Sequence, residues 1–436
     1  MYNFIKLSDS CVKCGKCISD CTIHQINPDE VTSPRGFLDL VGAYQKGQLE
    51  LDKNAKDIFE KCFLCTTCVS VCPNKLEVDF AIENIRCDIA KKFGIAWYKR
   101  VYFFLLRNRL IMNFVFSLGS IIAPIVFKIF KSEQSMKPRF KLPFINKRVF
   151  FKLNFRSFIG KTPELTINNE KDDAKVVAIF AGCLTNYHYT NVGKSLMSIL
   201  SELKINVYLP KKQQCCGAPA FYTGDFKTVD ALIKRNVEYF ETFIDDVEAI
   251  IIPEATCGAM IKEDWEKFMH KEPKWQARVK RLLPKIYLAT DWLYNETNLE
   301  EYLKNSDTKL DKTITYHDPC HARKVLGIYK EPRALLRANY NLIEMSNSNQ
   351  CCGFGGITMQ TEKFKFSNKV GVSKAKMIEQ SKAQIVSAEC SACRMQLVNA
   401  MDSEEVDVEF KHPLELIAEV IYKSRLSENG DVKNKI

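Results

Sequence analysis

The chain has 436 residues, 26% charged and 46% hydrophobic, with a formal net charge of +11. That length supports two or three domains with their own cores, and the composition excludes a fibrous, low-complexity or miniature disulfide-stapled fold. The eighteen cysteines are the departure: MYNFIKLSDS has neither a long apolar stretch nor a small-residue cleavage site, so a reducing cytoplasm is expected, where thiols serve metals or redox chemistry.

Residues 1–98 read as a domain built on two cysteine runs. CVKCGKCISDC sets Cys11, Cys14, Cys17 and Cys21 at C-x2-C-x2-C-x3-C spacing, and CFLCTTCVSVCP repeats it with Cys62, Cys65, Cys68 and Cys72 before Pro73. Three closely spaced thiolates can hold three corners of an iron–sulfur cube, and in two-cluster bacterial ferredoxins the fourth cysteine of each run serves the other cluster. The expected ligand sets are Cys11, Cys14, Cys17 and Cys72 for one cubane [4Fe–4S] cluster, and Cys62, Cys65, Cys68 and Cys21 for the second. A zinc site needs four thiolates at paired spacing and leaves four unexplained. Thr22 stands where a proline would follow the fourth cysteine, which is expected to loosen that turn. The 40 residues between Cys21 and Cys62 predict helices. Cys87 has no partner spacing and reads as structural.

Residues 99–130 are strongly apolar. LIMNFVFSLGSIIAPIVF, residues 110–127, carries no charge but only just reaches spanning length, and Asn113, Gly119 and Pro124 weaken a span. Residues 131–172, with Pro138, Pro143 and Pro163, read as a basic linker or extended arm. From Lys128 to Lys161 ten Lys or Arg stand against one acid, Glu133. An in-plane helix or helical hairpin followed by such an arm suits the anionic inner face of a membrane. A core or subunit-interface helix and a true span are the alternatives. No reader motif points to nucleic acid.

From residue 173 the pattern turns α/β and repeats. KVVAIFAGC, INVYLPKKQQCCG and VEAIIIPEATCGAM are echoed by KTITYHDPC, YNLIEMSNSNQCCG and AQIVSAECSAC. Each opens with a short β-branched or apolar run and closes on cysteine, and helical periodicity lies between, as in VGKSLMSILSELK. Cys183 to Cys215 spans 32 positions and Cys320 to Cys351 spans 31. Cys216 to Cys257 spans 41 and Cys352 to Cys390 spans 38. Two related units follow, 173–300 and 301–425, with a tail over 426–436.

Ligands of open parallel sheets gather where strands end, so the thiols of each unit can converge. The second unit offers five: Cys320, Cys351, Cys352, Cys390 and Cys393. The first offers Cys183, Cys215, Cys216 and Cys257, with Met260 where the last cysteine would stand. It reads either as a four-thiolate [4Fe–4S] site or as an empty one. Gly353, Gly355 and Gly356 are expected to let backbone approach the second site and lend N–H donors to sulfur. His317, Asp318 and His321 flank Cys320, as groups that pass protons or fix the loop. Arg394 either balances cluster charge or faces solvent. No Ser–His–Asp or paired-carboxylate motif occurs, so no catalytic residue is assigned.

The set of single Cys, Cys-Cys-Gly and C-x2-C resembles the cysteine-rich CCG domain of the heterodisulfide reductase family. That resemblance implies a non-cubane [4Fe–4S] cluster in the second unit. With FAGCLTNYH, QQCCGAP, LATDWLY, YHDPCHARK, EPRALLR and QCCGFGG, the chain resembles the iron–sulfur subunit of glycolate oxidase and the C subunit of anaerobic glycerol-3-phosphate dehydrogenase. The resemblance implies a multidomain fold, a helical two-cluster ferredoxin domain followed by two α/β CCG repeats, the first degenerate. It also implies an electron-transfer subunit of a respiratory 2-hydroxy-acid dehydrogenase, linking an FAD-containing dehydrogenase subunit to the quinone pool. No flavin or nicotinamide motif is visible in this chain, which places substrate oxidation in the partner. The rivals are a catalyst of disulfide reduction at the five-cysteine site, the iron–sulfur subunit of a lactate or glycerol-3-phosphate dehydrogenase, and a redox-inert scaffold. The expected location is cytoplasmic, peripheral on the inner face of the cytoplasmic membrane.

Overall fold

The computed structural model describes residues 3–130, 134–142, 145–171 and 173–433, so Lys131, Glu133, Pro143 and the last three residues of the tail lie outside the described residues. Helices Lys16–Ser19, Thr22–Ile26 and Thr67–Val71 are single turns beside the cysteine runs. Pro34–Gln45 and Val78–Phe93 are long enough to bury a face. Pro34 opens its helix where a missing N–H is harmless, and the Ser33 hydroxyl caps it by accepting from Gly36 N. Phe37 and Val41 from one helix and Ala81, Ile82 and Ile85 from the other build the core of this domain.

The strands of the described residues fall into three sheets. β1 (Phe127–Phe130), β2 (Ser135–Pro138) and β3 (Phe150–Phe151) form a small antiparallel sheet. The first α/β unit holds β4 (Leu165–Thr166), β5 (Val176–Ile179), β6 (Asn206–Tyr208), β7 (Ala249–Ile252) and β8 (Ile286–Leu288), in the order β4-β6-β5-β7-β8. All are parallel except β4. The second holds β9 (Leu310–Tyr316), β10 (Tyr340–Leu342), β11 (Ile385–Ser387) and β12 (Glu409–Lys411), all parallel, in the order β10-β9-β11-β12. With β4 set aside the two orders are the same.

Strand β7 reads AIII and is buried throughout, as a parallel strand covered on both faces must be. Helix Thr190–Glu202 turns Val192, Leu196, Ile199 and Leu200 to one side, the i, i+4, i+7, i+8 stripe of an amphipathic helix. It packs on helix Pro413–Lys433 through Leu416, Ile417 and Val420, so the two units share one core.

The basic stretch is not a free linker. Lys137 pairs with Asp402 (2.7 Å), Val149 N donates to Asn399 Oδ1 (3.1 Å) and the Arg148 guanidinium lies 3.7 Å over the Phe364 ring, all on the second unit. Ahead of it, helix Arg109–Val126 is long and apolar enough to cross a membrane by length and composition. One side of it rests on protein: Met112 and Ala123 are buried, Phe116 packs on Tyr187 and His188, and Asn113 accepts from the Tyr187 hydroxyl (2.8 Å). The other side bears Leu110, Phe114, Ile121 and Ile125, exposed by 84%, 70%, 61% and 74%.

Candidate metal centre

All eighteen cysteines are free thiols. In each N-terminal run the backbone enters the left-handed region at the same two places. These are Lys13 (φ 54) and Gly15 (φ 80) in the first, Leu64 (φ 52) and Thr66 (φ 55) in the second. Side-chain-bearing residues adopt this conformation at a cost. Its recurrence wraps each loop around a centre and starts the following turn at Gly15 and Thr66. Cys11, Cys14, Cys17 and Cys72, together with Cys68, line one small cavity of about 30 Å3. Cys21, Cys62, Cys65 and Cys68 line another of about 20 Å3. Burial pushes the Cys21 and Cys62 thiols up to about 12, so a metal must displace their protons to bind. Thr22 does not leave a loose turn. It is buried, opens a helix, and sets its hydroxyl 3.5 Å from Cys65 Sγ.

The cysteines of the two α/β units follow the C-terminal ends of equivalent strands: Cys183 after β5 and Cys320 after β9, the doublets after β6 and β10, Cys257 after β7 and Cys390 after β11. In the second unit the thiols run in a chain of neighbours, Cys320 beside Cys351, Cys351 beside Cys352 and Cys393 beside Cys390, with Cys352 Sγ 3.3 Å from Cys393 Sγ. In the first, Cys183, Cys215, Cys216 and Cys257 form the same chain of sulfur contacts, and buried Met260 packs beside Gly217. Gly217 N and Gly353 N, both at positive φ, donate to Cys215 Sγ (3.5 Å) and Cys351 Sγ (3.4 Å). Gly355 and Gly356 serve approach between domains: a Cβ on Gly355 would meet Phe63 at 2.8 Å, and one on Gly356 would touch Tyr222.

Of the polar candidates, His317 sits beside two thiols. Its ring is fully buried within a 4.8 Å group with Cys352 and Cys393, and neither nitrogen has an oxygen or nitrogen partner. His321 sets Nδ1 4.0 Å from Cys320 Sγ and stacks on Tyr222, whose hydroxyl lies 3.1 Å from Nε2. Asp318 fixes the loop, paired with Arg323 and Arg333 at 2.5 Å each. Arg394 does not face solvent. It is 2% exposed, pairs with Glu415 (3.0 Å) and lies over the rings of Tyr189 and Phe410.

Two buried carboxylates escaped the sequence reading. Glu254 of the first unit accepts from Ser391 N (2.8 Å) in the second and from the Thr185 hydroxyl (2.6 Å). Glu389 of the second accepts from Thr290 N (3.0 Å) and its hydroxyl in the first. The exchange is reciprocal, and the acid shortly ahead of the fourth cysteine of each unit, in PEATC and SAEC, was its signal. Arg86 also escaped notice. From helix Val78–Phe93 it donates to Cys62 O (2.7 Å), Phe59 O (3.1 Å) and, across the domain boundary, Tyr222 O (3.0 Å).

Thiols converge four or five at a time on pre-curled backbone, and sulfur already receives N–H donors. A buried histidine beside the second set lacks any other partner. This donor set fits iron–sulfur clusters, which take thiolates and are tuned by such donors. The sites also adjoin: the Cys65 thiol interacts with that of Cys351 in the doublet, and a Cβ on Gly355 would lie 2.8 Å from Phe63 of the second N-terminal run.

The class is therefore an iron–sulfur protein in which a dicluster ferredoxin domain is fused to two cysteine-rich repeats. Family models agree: a 4Fe-4S dicluster domain matches residues 7–76, and a cysteine-rich CCG domain matches 177–262 and 314–398. Lactate utilization protein A of Bacillus velezensis is 31% identical over 248 residues, 56% of this chain and 98% of that protein. Its counterpart from Geobacillus kaustophilus is 33% identical over 215 residues, 49% of this chain and 83% of that protein. An uncharacterized iron–sulfur protein of Methanococcus maripaludis is 28% identical over 403 residues, 91% of this chain and 68% of that one. The chain belongs to the family of CCG iron–sulfur proteins that includes lactate utilization protein A, consistent with its resemblance to the glycolate oxidase iron–sulfur subunit. The crystal structure of a hypothetical protein from Helicobacter pylori shares the fold (TM-score 0.51, 11% identity, 96% of this chain and 74% of that one).

Proposed function

We propose that this chain is the iron–sulfur electron-transfer subunit of a respiratory 2-hydroxy-acid dehydrogenase. In this reading it receives electrons from an FAD-containing partner and delivers them toward the quinone pool at the inner face of the cytoplasmic membrane. The approach of the Cys62–Cys68 loop to the second CCG unit carries the reading: Phe63 lies against Gly355, Lys324 donates to the Thr67 hydroxyl and Cys65 neighbours Cys351, so a ferredoxin site and a CCG site stand side by side. Clusters at these sites would supply one-electron carriage, which suits a flavin that must unload two electrons singly. We assign Cys11, Cys14, Cys17 and Cys72, and Cys62, Cys65, Cys68 and Cys21, to two cubane clusters. The five thiols of the second unit go to a non-cubane cluster, and Cys183, Cys215, Cys216 and Cys257 to a further one. The chain's own contribution is positional. Arg86 ties the Cys62 loop to the first unit, and backbone N–H groups of Gly217 and Gly353 point at sulfur.

Relatives named for lactate utilization and the resemblance to glycolate oxidase both point to a 2-hydroxy acid, lactate or glycolate, as the substrate of the partner. The apolar stripe of helix Arg109–Val126 beside the basic stretch supports attachment in the membrane plane. Anaerobic purification is expected to give about twelve irons per chain or more, four for each occupied site. Eight or fewer would remove the CCG units from the electron path. Redox titration followed by EPR should show each cluster reduced reversibly, and no signal on reduction would leave a scaffold.

A further inference from the structure

Between the two CCG units, against the thiols assigned to the further cluster of the first, lies a cavity of about 230 Å3, far roomier than the spaces of about 30 and 20 Å3 between the N-terminal thiols. Cys183, Cys216 and Cys257 of the first unit form one side of it. Thr256 joins that side to the second unit, its hydroxyl 3.5 Å from Cys390 Sγ. The remaining wall is mostly apolar, with Phe151, Leu184, Phe354, Ile357 and Met395 among its residues; Tyr102, Tyr222, Gln360 and the buried Glu254 also line it, and no Lys or Arg does. Phe151, Phe354, Ile357 and Met395 are only half-buried, so the cavity has a mouth.

The wall is also the underside of the apolar helix. Phe151 stacks 3.8 Å from His188, and His188 packs on Phe116 of helix Arg109–Val126. His188 and the helix itself thus lie between this wall and the face that carries Leu110, Phe114, Ile121 and Ile125. The volume falls just below the roughly 300–1,000 Å3 of drug-sized ligand pockets, enough for one or two fused rings. A nucleotide, or a disulfide with anionic arms, would find no cation to meet its charge. A planar, uncharged, lipid-soluble molecule meets complementary surface.

We infer that this cavity binds the ring of a lipid-soluble quinone, the mouth facing the membrane side and the thiol-lined wall facing the electron source. The inference rests on the electron-transfer reading above. A quinone becomes a quinol by taking two electrons and two protons. The electrons come singly from reduced iron–sulfur groups, the protons from water at the mouth, and no other co-reactant is needed.

The test uses the full-length, iron-loaded protein prepared without oxygen and menadione as the probe. Equilibrium dialysis should show saturable binding of about one menadione per chain, and a photoreactive azido-naphthoquinone should label peptides containing Met395 or Phe354. Ile357→Trp, which fills the space, should weaken menadione binding at least tenfold. Met395→Gln, which adds polarity at nearly constant volume, should do the same if the tryptophan variant misfolds; iron content and melting temperature verify each preparation. Absence of saturable binding in the fully iron-loaded protein, unchanged affinity in a folded variant, or binding of glutathione disulfide in place of menadione would overturn the inference. Redox titration of the same preparation separates the two ideas. Clusters that cannot be reduced reversibly would sink the electron-transfer reading and the quinone site with it, while reversible clusters without menadione binding would sink the site alone.

Discussion

His412 stands between the two units with both ring nitrogens engaged: Leu414 N donates to Nδ1 (3.2 Å), which leaves Nε2–H to donate to Pro253 O (3.0 Å). That arrangement needs the neutral ring, and burial lowers its pKa to about 3; buried His188 is lowered to about 3 likewise. Since the unfolded chain binds protons near pH 6.5, it gains protons there before the native state does. Stability therefore stays level above that pH and falls as pH drops from 6.5 toward 3, by about 1.4 kcal/mol per pH unit for each ring. Urea unfolding at pH 5.5 should show a loss of about 2–3 kcal/mol relative to pH 7.5, and His412→Gln should recover about half. Glu389 is tested by a contrast. Glu389→Ala leaves Thr290 N–H and its hydroxyl unpaired and should cost about 2–4 kcal/mol, whereas Glu389→Gln, which can still accept, should cost about 1 or less. Equal losses in the two variants would show that the hydrogen bonds are unimportant.

At the scale of elements, helix Val78–Phe93 does more than cover the ferredoxin core. Its Arg86 collects three carbonyls from two domains, and Gly224 of the first unit comes so near that a Cβ there would lie 2.3 Å from Arg86 O. Gly224, at φ +91, is required both by conformation and by this approach. Gly224→Ala should destabilise the protein by about 2–3 kcal/mol and expose the domain boundary to proteolysis; an unchanged melting curve would show that the domains give way freely. Helix Arg109–Val126 offers the opposite case, since its outer stripe contributes nothing to the core. Phe114→Glu with Ile125→Glu should leave stability within about 0.5 kcal/mol while reducing sedimentation with anionic-lipid vesicles severalfold. Persistent vesicle binding would assign the stripe to another partner.

For the whole molecule, the two sheets carry a shared core, whereas the cysteine loops rest on turns too short to persist alone. Removing iron should therefore act unevenly. In hydrogen exchange, amides 11–21 and 62–72 should lose protection by tenfold or more on chelation, while β5, β7, β9 and β11 stay protected. A uniform loss would mean that the metal supports the entire fold. The same unevenness explains what could be read in advance. The two C-x2-C-x2-C-x3-C runs and the echoed CCG segments are local patterns, and cluster chemistry confines ligands to such spacing, so the metal-binding class and both repeats were legible. The solvent-facing alternative for Arg394 does not hold, because its partners Glu415, Tyr189 and Phe410 are brought to it only by packing.

The sequence by itself determined the donor chemistry, the duplication and the order of domains, since cysteine spacing and strand periodicity act over a few residues and survive any arrangement of the whole. Only the tertiary structure decided that Cys65 meets Cys351, that Glu254 and Glu389 are exchanged between the units, that the basic stretch is pinned down, and that an apolar cavity opens beside the thiols of the first unit. Those contacts join residues 99 or more positions apart. They exist only once burial of apolar surface has fixed how the domains pack.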